Sequence, residues 1–263
     1  MKIPTQKLRS NYSIPVLGLG TWQLLGKECE RAVRKALEMG YRHIDTAEIY
    51  DNQTEIGKAI QGFDRSELFI TSKVWETNLR FKSVLKACES TLKELNTSYL
   101  DLYLIHWPNP SVLLEETFRA MKILHEDGKV RSIGVSNFGL PLLKQALEVE
   151  EIPVCVDQVE FHPYLYQKEL LEFCKKHDIV FVAYSPLARG KILDDKTIKE
   201  LADKYGKSPA QISLRWILQK GAITIPKASS EEHLKENMDV FDWKLSKRDV
   251  SKIDSIKIQK KGS

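Results

Sequence analysis

Gly40-Tyr41-Arg42-His43-Ile44-Asp45-Thr46-Ala47-Glu48-Ile49-Tyr50 is the stretch whose reading decides the fold. Gly40 stops a helical pattern, and the run after it reads as a short strand that Asp45 closes. Two later runs repeat the design. Leu68-Phe69-Ile70-Thr71-Ser72 is closed by Lys73, and Leu100-Asp101-Leu102-Tyr103-Leu104-Ile105 by His106. The three closing residues lie 28 and 33 positions apart (45 to 73, 73 to 106). Roughly 30 residues is the length of one βαβ unit. Repeating that unit puts all three strand ends on one rim, with Tyr50 five positions past the first.

Working outward, strands and helices alternate almost to the end. Strands are expected at 16–20, 41–45, 68–72, 100–105, 133–135, 154–159, 180–183 and 223–225. Helices are expected at 28–39, 53–60, 81–95, 114–126, 140–148, 167–176, 196–205 and 209–219. Residues 81–95 carry Val84, Leu85, Cys88, Leu92 and Leu95 at helical spacing. Alternating units imply parallel strands, and Ile179-Val180-Phe181-Val182-Ala183 reads as a strand buried on both faces. A doubly wound sheet competes, but eight evenly phased strands favour a (β/α)8 TIM barrel. A hairpin at 7–15, turning at Ser10-Asn11, is expected to cap the barrel floor, and extra helices at 231–238 and 247–255 follow the last strand. No linker divides residues 1–263, so one domain is expected. A barrel typically needs about 250 residues.

Composition narrows the function classes. A net charge of +4, with Lys and Arg dispersed among Asp and Glu, argues against a nucleic-acid face. The basic run Lys257-Ile258-Gln259-Lys260-Lys261 reads as a solvated tail. Cys29, Cys88, Cys155 and Cys174 form no C-x-x-C pair and sit in apolar contexts, as buried thiols of a reducing cytoplasm do. No secretory core opens the chain and no run approaches 18 apolar residues, so a membrane-free, cytoplasmic protein is expected.

The rim residues suggest acid–base chemistry. Tyr50 is the candidate proton donor. Its phenol, of pKa about 10, is a poor acid near neutrality. A neighbouring Lys73 ammonium would favour the phenolate and lower that pKa, Asp45 would hold Lys73 charged, and His106 would direct a carbonyl by hydrogen bond. There is no G-x-G-x-x-G, H-E-x-x-H or H-x-x-E-H, so neither a Rossmann dinucleotide site nor a metal is expected. Tyr184-Ser185-Pro186-Leu187-Ala188-Arg189-Gly190 follows the seventh strand, where barrels commonly hold phosphates.

At these residues the chain resembles the aldo-keto reductase family, and in its short loops the prokaryotic members that reduce 2,5-diketo-gluconate or methylglyoxal. Gly40 through Ala47, with Tyr50, Asn52, Glu55 and Gly57, is similar to the first family signature. Val130 through Phe138 is similar to the second, and Ile225-Pro226-Lys227 with Glu236-Asn237 to the third. Gly18-Leu19-Gly20-Thr21-Trp22, Thr71-Ser72-Lys73-Val74-Trp75 and His106-Trp107-Pro108 match as well, so the likeness spans about residues 7–255.

The resemblance implies reduction of a small carbonyl substrate by NADPH, with NADH possible, in a monomer. Asp45, Tyr50, Lys73 and His106 would be catalytic. Tyr184 would stack the nicotinamide, and Ser136, Asn137 and Gln158 would bond its carboxamide. Ser185, Leu187 and Arg189 would hold the pyrophosphate. Gly20, Thr21, Trp22, Lys227, Ser229, His233, Glu236 and Asn237 would complete the cofactor trench. Trp22, Trp75, His106 and Trp107 would wall the substrate pocket. The chain departs from the third signature at Ala228 and His233, where the family usually has Ser or Thr and Arg. That weakens the expected grip on a 2′-phosphate. The loop after Pro108 is short, which implies an open pocket for small aldehydes, α-dicarbonyls or keto-sugar acids. Two other readings share these residues: a nicotinamide-binding regulatory subunit with little turnover, and an unrelated barrel enzyme forming a Schiff base on Lys73.

Overall fold

The computed structural model describes residues 3–256, so the basic run at 257–261 lies outside the described residues. The strands are β1 Thr5–Lys7, β2 Ser13–Pro15, β3 Leu19–Gly20, β4 His43–Asp45, β5 Phe69–Val74, β6 Leu102–Ile105, β7 Ile133–Ser136, β8 Val154–Glu160, β9 Val180–Tyr184 and β10 Ile223–Thr224. The helices are α1 Gly26–Glu38, α2 Gln53–Ala59, α3 Phe81–Glu94, α4 Leu114–Glu126, α5 Leu140–Val149, α6 Lys168–Lys176, α7 Lys196–Tyr205, α8 Pro209–Gln219, α9 Glu231–Met238 and α10 Lys247–Asp254. β3 to β10 form one parallel sheet in chain order. It closes where Leu17 bridges Thr224. Gly18 N–H donates to Thr224 O at 2.9 Å across that seam, and Thr224 N–H to Val16 O at 3.1 Å. A Cβ on Gly20 would sit 2.5 Å from the Ile225 carbonyl, so closure needs a residue without a side chain there.

Side chains alternate along each strand between the barrel interior and the helical layer. Phe69, Leu102, Leu104, Val156, Val180, Val182, Ile223 and Ile225 form the interior cluster. Ile44, Ile70, Val74, Tyr103, Ile105, Phe181 and Ala183 join the outer core with the helices. Gly134 makes room for the interior, because a Cβ there would come within 2.8 Å of Leu104 Cδ2. The antiparallel hairpin β1–β2 seats Leu8 and Ile14 in the interior cluster, which plugs the barrel floor. Each such aliphatic side chain, fully buried, stabilises the fold by about 1.5–3 kcal/mol.

Two-residue periodicity also selects the rim. Above the interior aliphatics, the next inward positions are Asp45 on β4, Lys73 on β5, His106 after β6, Ser136 on β7, Gln158 on β8 and Tyr184 on β9. A bulge keeps β8 in phase. Ile133 pairs with Val154, but Val135 pairs with Asp157, so β8 carries one extra residue. Cys155 and Val156 both reach the interior cluster, and Gln158 then aligns with Ser136.

Element order agrees with the sequence reading, and α4, α7, α8 and α9 have the expected bounds. The end strands are shorter than expected, two residues each in β3 and β10. At the seam, Leu17 pairs through an isolated bridge rather than a ladder. β5 runs on through Lys73 to Val74, so Lys73 lies inside the strand instead of just past it.

Candidate active site

Asp45 and Lys73 face each other across the β4–β5 pairing, 2 % and 0 % exposed. Lys73 Nζ donates to Asp45 Oδ1 at 2.5 Å and to the Thr46 carbonyl at 2.8 Å. Gln158 Nε2 donates to the other carboxylate oxygen, Oδ2, at 2.7 Å. The carboxylate is therefore held from the neighbouring strand β5 and from β8 across the barrel. Burial works against the Lys73 ammonium, but the charges and hydrogen bonds of Asp45 and Tyr50 outweigh it and lift its pKa above the ordinary lysine value.

Tyr50 ends the short turn Glu48–Tyr50, and the Lys73 ammonium lies 5.0 Å from its ring centroid. The phenol departs from the sequence expectation. Burial raises its pKa more than the Lys73 charge lowers it, so the net shift is upward. Neutral phenol is then the resting form, and the ammonium's part is to stabilise the phenolate left once a proton has gone. The His106 ring meets the Tyr50 ring edge to face at 5.6 Å and the Trp75 ring at 5.2 Å. Burial, helped by the Lys73 charge, pushes the His106 imidazole down to about 3, so it is neutral at physiological pH. Its Nδ1 is buried and has no hydrogen-bond partner among the described residues.

Beside these four lies a chain of amide contacts. Ser136 Oγ donates to the Gln158 carbonyl at 2.8 Å. Asn137, whose φ of 64° is left-handed, donates from Nδ2 to His106 O at 2.9 Å, and Tyr184 OH donates to Asn137 Oδ1 at 2.8 Å. Gln158 commits its Nε2 to Asp45, and its Oε1 accepts no hydrogen bond among the described residues. That spare acceptor suits the N–H of a carboxamide. Tyr184 is half-buried and presents a flat ring. Beyond it, Ser185, Ala188, Arg189 and Gly190 all have φ between 48° and 86°. Within this run Ala188 N–H donates to Ser185 O and Gly190 N–H to Leu187 O, both at 2.9 Å, which folds the loop into tight turns beside the rim. The residues fit a nicotinamide dinucleotide.

The remaining expected residues surround this trench. Gly20 and Thr21 leave β3, and the Thr21 hydroxyl donates to Asp45 O at 2.9 Å, a backbone tie within the rim. Trp22 is 43 % exposed, with the Arg189 guanidinium 5.5 Å from its ring centroid. Leu187 is half-buried against the core. Lys227, Ser229 and His233 are exposed, Ala228 is buried, and Asn237 is buried beside half-exposed Glu236 on α9. Trp75 is half-buried and Trp107 is 41 % exposed at the mouth. Sequence reasoning missed the Thr46 carbonyl that fixes Lys73, because a backbone acceptor leaves no mark in the residue type. It also gave Gln158 a cofactor contact but not its bond to Asp45, which spans the barrel.

Comparison with known proteins agrees with this geometry. The Aldo/keto reductase family profile matches residues 16–258. The chain is 46 % identical over 255 residues to the glyoxal reductase of Bacillus subtilis, covering 96 % of this chain and 92 % of the relative. It is 43 % identical over 252 residues to the methylglyoxal reductase DkgA of Yersinia pestis, covering 94 % and 90 %. Among solved structures, the aldo-keto reductase of Bombyx mori in complex with NADP superposes with a TM-score of 0.92 at 33 % identity, covering 99 % of this chain and 95 % of that one. With barrel, rim and signatures in agreement, the chain belongs to the aldo/keto reductase family and is an oxidoreductase that uses a nicotinamide cofactor.

Proposed function

We propose that this protein reduces small aldehydes, α-dicarbonyls or keto-sugar acids to alcohols with NADPH, using Tyr50 as the proton donor. The observation that carries the reading is the buried Asp45–Lys73 pair beside the Tyr50 ring, with the neutral His106 ring packed edge to face on the same phenol. The likeness to glyoxal and methylglyoxal reductases supports the substrate class. A dihydronicotinamide bound there would supply hydride to the carbonyl carbon. His106, being neutral, donates an N–H to the carbonyl oxygen without repelling the Lys73 ammonium. As the C–H bond forms, the π pair moves onto that oxygen, which takes the phenolic proton of Tyr50. Lys73, fixed by Asp45 and Thr46, stabilises the resulting phenolate until solvent reprotonates it. This intact proton-donating assembly favours an enzyme over a binding subunit, and the bonded ammonium of Lys73 is a poor Schiff-base amine.

Ser136, Asn137, Gln158 and Tyr184 would hold the nicotinamide end, and Ser185, Leu187 and Arg189 the pyrophosphate. Lys227, Ser229 and His233 would meet the 2′-phosphate, with Glu236, Asn237, Gly20, Thr21 and Trp22 edging the trench. NADPH is preferred and NADH accepted, because buried Ala228 brings no hydroxyl to that phosphate. Four buried free thiols fit a reducing cytoplasm. The test is Tyr50→Phe with both cofactors. Turnover should fall about 10²–10⁴-fold, the usual contribution of a general acid, with cofactor affinity retained. Unchanged turnover would sink the assignment.

A further inference from the structure

Glu48 takes no part in the proton path, yet its carboxylate joins the two loops that flank His106. It opens the turn that ends in Tyr50. Its Oε2 accepts the backbone N–H of Trp75 at 2.9 Å, and its Oε1 accepts from Asn78 Nδ2. Trp75 and Asn78 bracket the short turn Glu76–Asn78 that leaves β5. A third loop is tied to the same turn, since Asn109 Nδ2 donates to Glu76 O at 3.0 Å. One carboxylate thus fixes the spacing between the turn carrying Tyr50 and the loop carrying Trp75. The His106 ring sits between those two rings, meeting each edge to face at 76° and 78°.

We propose that Glu48 is a positioning residue that sets substrate selectivity: it holds Trp75 as a rigid aromatic wall beside His106, which strengthens the binding of flat aromatic aldehydes and leaves that of small aliphatic dicarbonyls unchanged. This rests on the reading of Tyr50 and His106 as the groups that meet the carbonyl. Loop residues are ordinarily the mobile part of a barrel mouth. Here two hydrogen bonds to a charged acceptor hold the loop after β5, and such bonds are the stronger kind. A wall fixed in advance loses less entropy when a flat substrate packs on it. A two-carbon or three-carbon dicarbonyl, with little surface to lay on an indole, gains little from the same wall. The Asp45–Lys73–Gln158 contacts do not involve Glu48, so the ammonium that serves the Tyr50 phenol is held without it.

The experiment compares steady-state kinetics on 4-nitrobenzaldehyde and methylglyoxal at saturating NADPH. NADPH affinity, followed by quenching of tryptophan fluorescence, should be unchanged in Glu48→Ala, which also certifies the fold. Loss of the charged anchor should raise the KM for 4-nitrobenzaldehyde about tenfold. The methylglyoxal KM and both kcat values should stay within about twofold. Glu48→Gln should restore the wild-type KM, because its amide oxygen still accepts from Trp75 N–H and a flipped Asn78 amide accepts from its NH₂. In a Trp75→Ala background, Glu48→Ala should add less than about twofold, since the ring it positions is gone. An equal fall in kcat on both substrates with KM unchanged would overturn the proposal, as would a full tenfold effect without the Trp75 ring. A wild-type protein that reduces neither aldehyde overturns the reading of the site and this inference with it. An active wild type whose selectivity ignores Glu48 overturns the inference alone.

Discussion

Replacing Lys73 with Met separates two roles of one ammonium. The side chain is fully buried and bonded to Asp45 Oδ1 and the Thr46 carbonyl. Met fills much of the same volume but carries no charge. The first effect is on stability. Asp45, 2 % exposed, then keeps only the Gln158 amide as a side-chain donor among the described residues, and an uncompensated buried charge of this kind costs about 3–5 kcal/mol. The second effect is on catalysis. The ammonium stands 5.0 Å from the Tyr50 ring centroid. At an effective dielectric of about 20, a unit charge at about 5 Å is worth about 3.3 kcal/mol. If the phenolate is fully developed in the transition state, turnover should therefore fall about 250-fold. The two effects part company in Asp45→Asn/Lys73→Met. That double variant has no stranded carboxylate, so its thermal midpoint should recover most of the loss while its kcat stays low. Thermal unfolding and nicotinamide absorbance read the two quantities on the same samples. A Lys73→Met kcat within about threefold of wild type would refute the electrostatic role. A double variant no more stable than Lys73→Met would refute the stranded charge.

Two further outcomes concern pH. Burial lowers His43 to about 4 and His106 to about 3, so both are neutral in the folded state while the unfolded chain takes up protons from about pH 6.5 downward. Their stabilising contribution is thus complete above pH 6.5 and is lost as pH falls toward those values, at up to about 2.7 kcal/mol per pH unit for the pair. Ring-proton NMR should show neither histidine titrating between pH 8 and 5, and a midpoint near 6.5 for either would contradict its burial. Asp157 behaves in the opposite sense. Neither of its carboxylate oxygens has a hydrogen-bond partner among the described residues, and burial pushes its pKa well above the usual carboxylate range. The folded state therefore keeps a proton that the unfolded state has released, and stability falls as pH rises above about 4. Asp157→Asn removes that penalty, so its advantage over wild type should be larger at pH 7 than at pH 5. Denaturant melts showing the same difference at both pH values would rule this out.

The hidden quantity in the linear chain was phase. Apolar runs such as 179–183 gave the strands away, but they did not show which alternate residues face the barrel interior. Asp45, Lys73 and His106 stood out because an ionisable group ending an apolar run is visible in one dimension. Gln158 was legible only through the family likeness, and its grip on Asp45 depends on the extra residue in β8, which no turn signal marks. Glu48 looked like any polar loop residue, since its partners Trp75 and Asn78 lie on another βα unit. The direction of the Tyr50 shift was missed for a related reason. Residue types name the charges nearby, but they do not state how much water burial removes.

By itself the sequence determined the barrel, its order of elements and the four residues on its rim, because helical and strand periodicities and the spacing of a βαβ unit are local properties of the chain. Only the tertiary structure decided the energetics of that rim. Depth of burial set a neutral Tyr50 and a neutral His106, strand register and the β8 bulge aimed Gln158 at Asp45, and loops far apart in sequence met through Glu48. Desolvation and alignment across strands are sums over the whole fold, so no window of residues contains them.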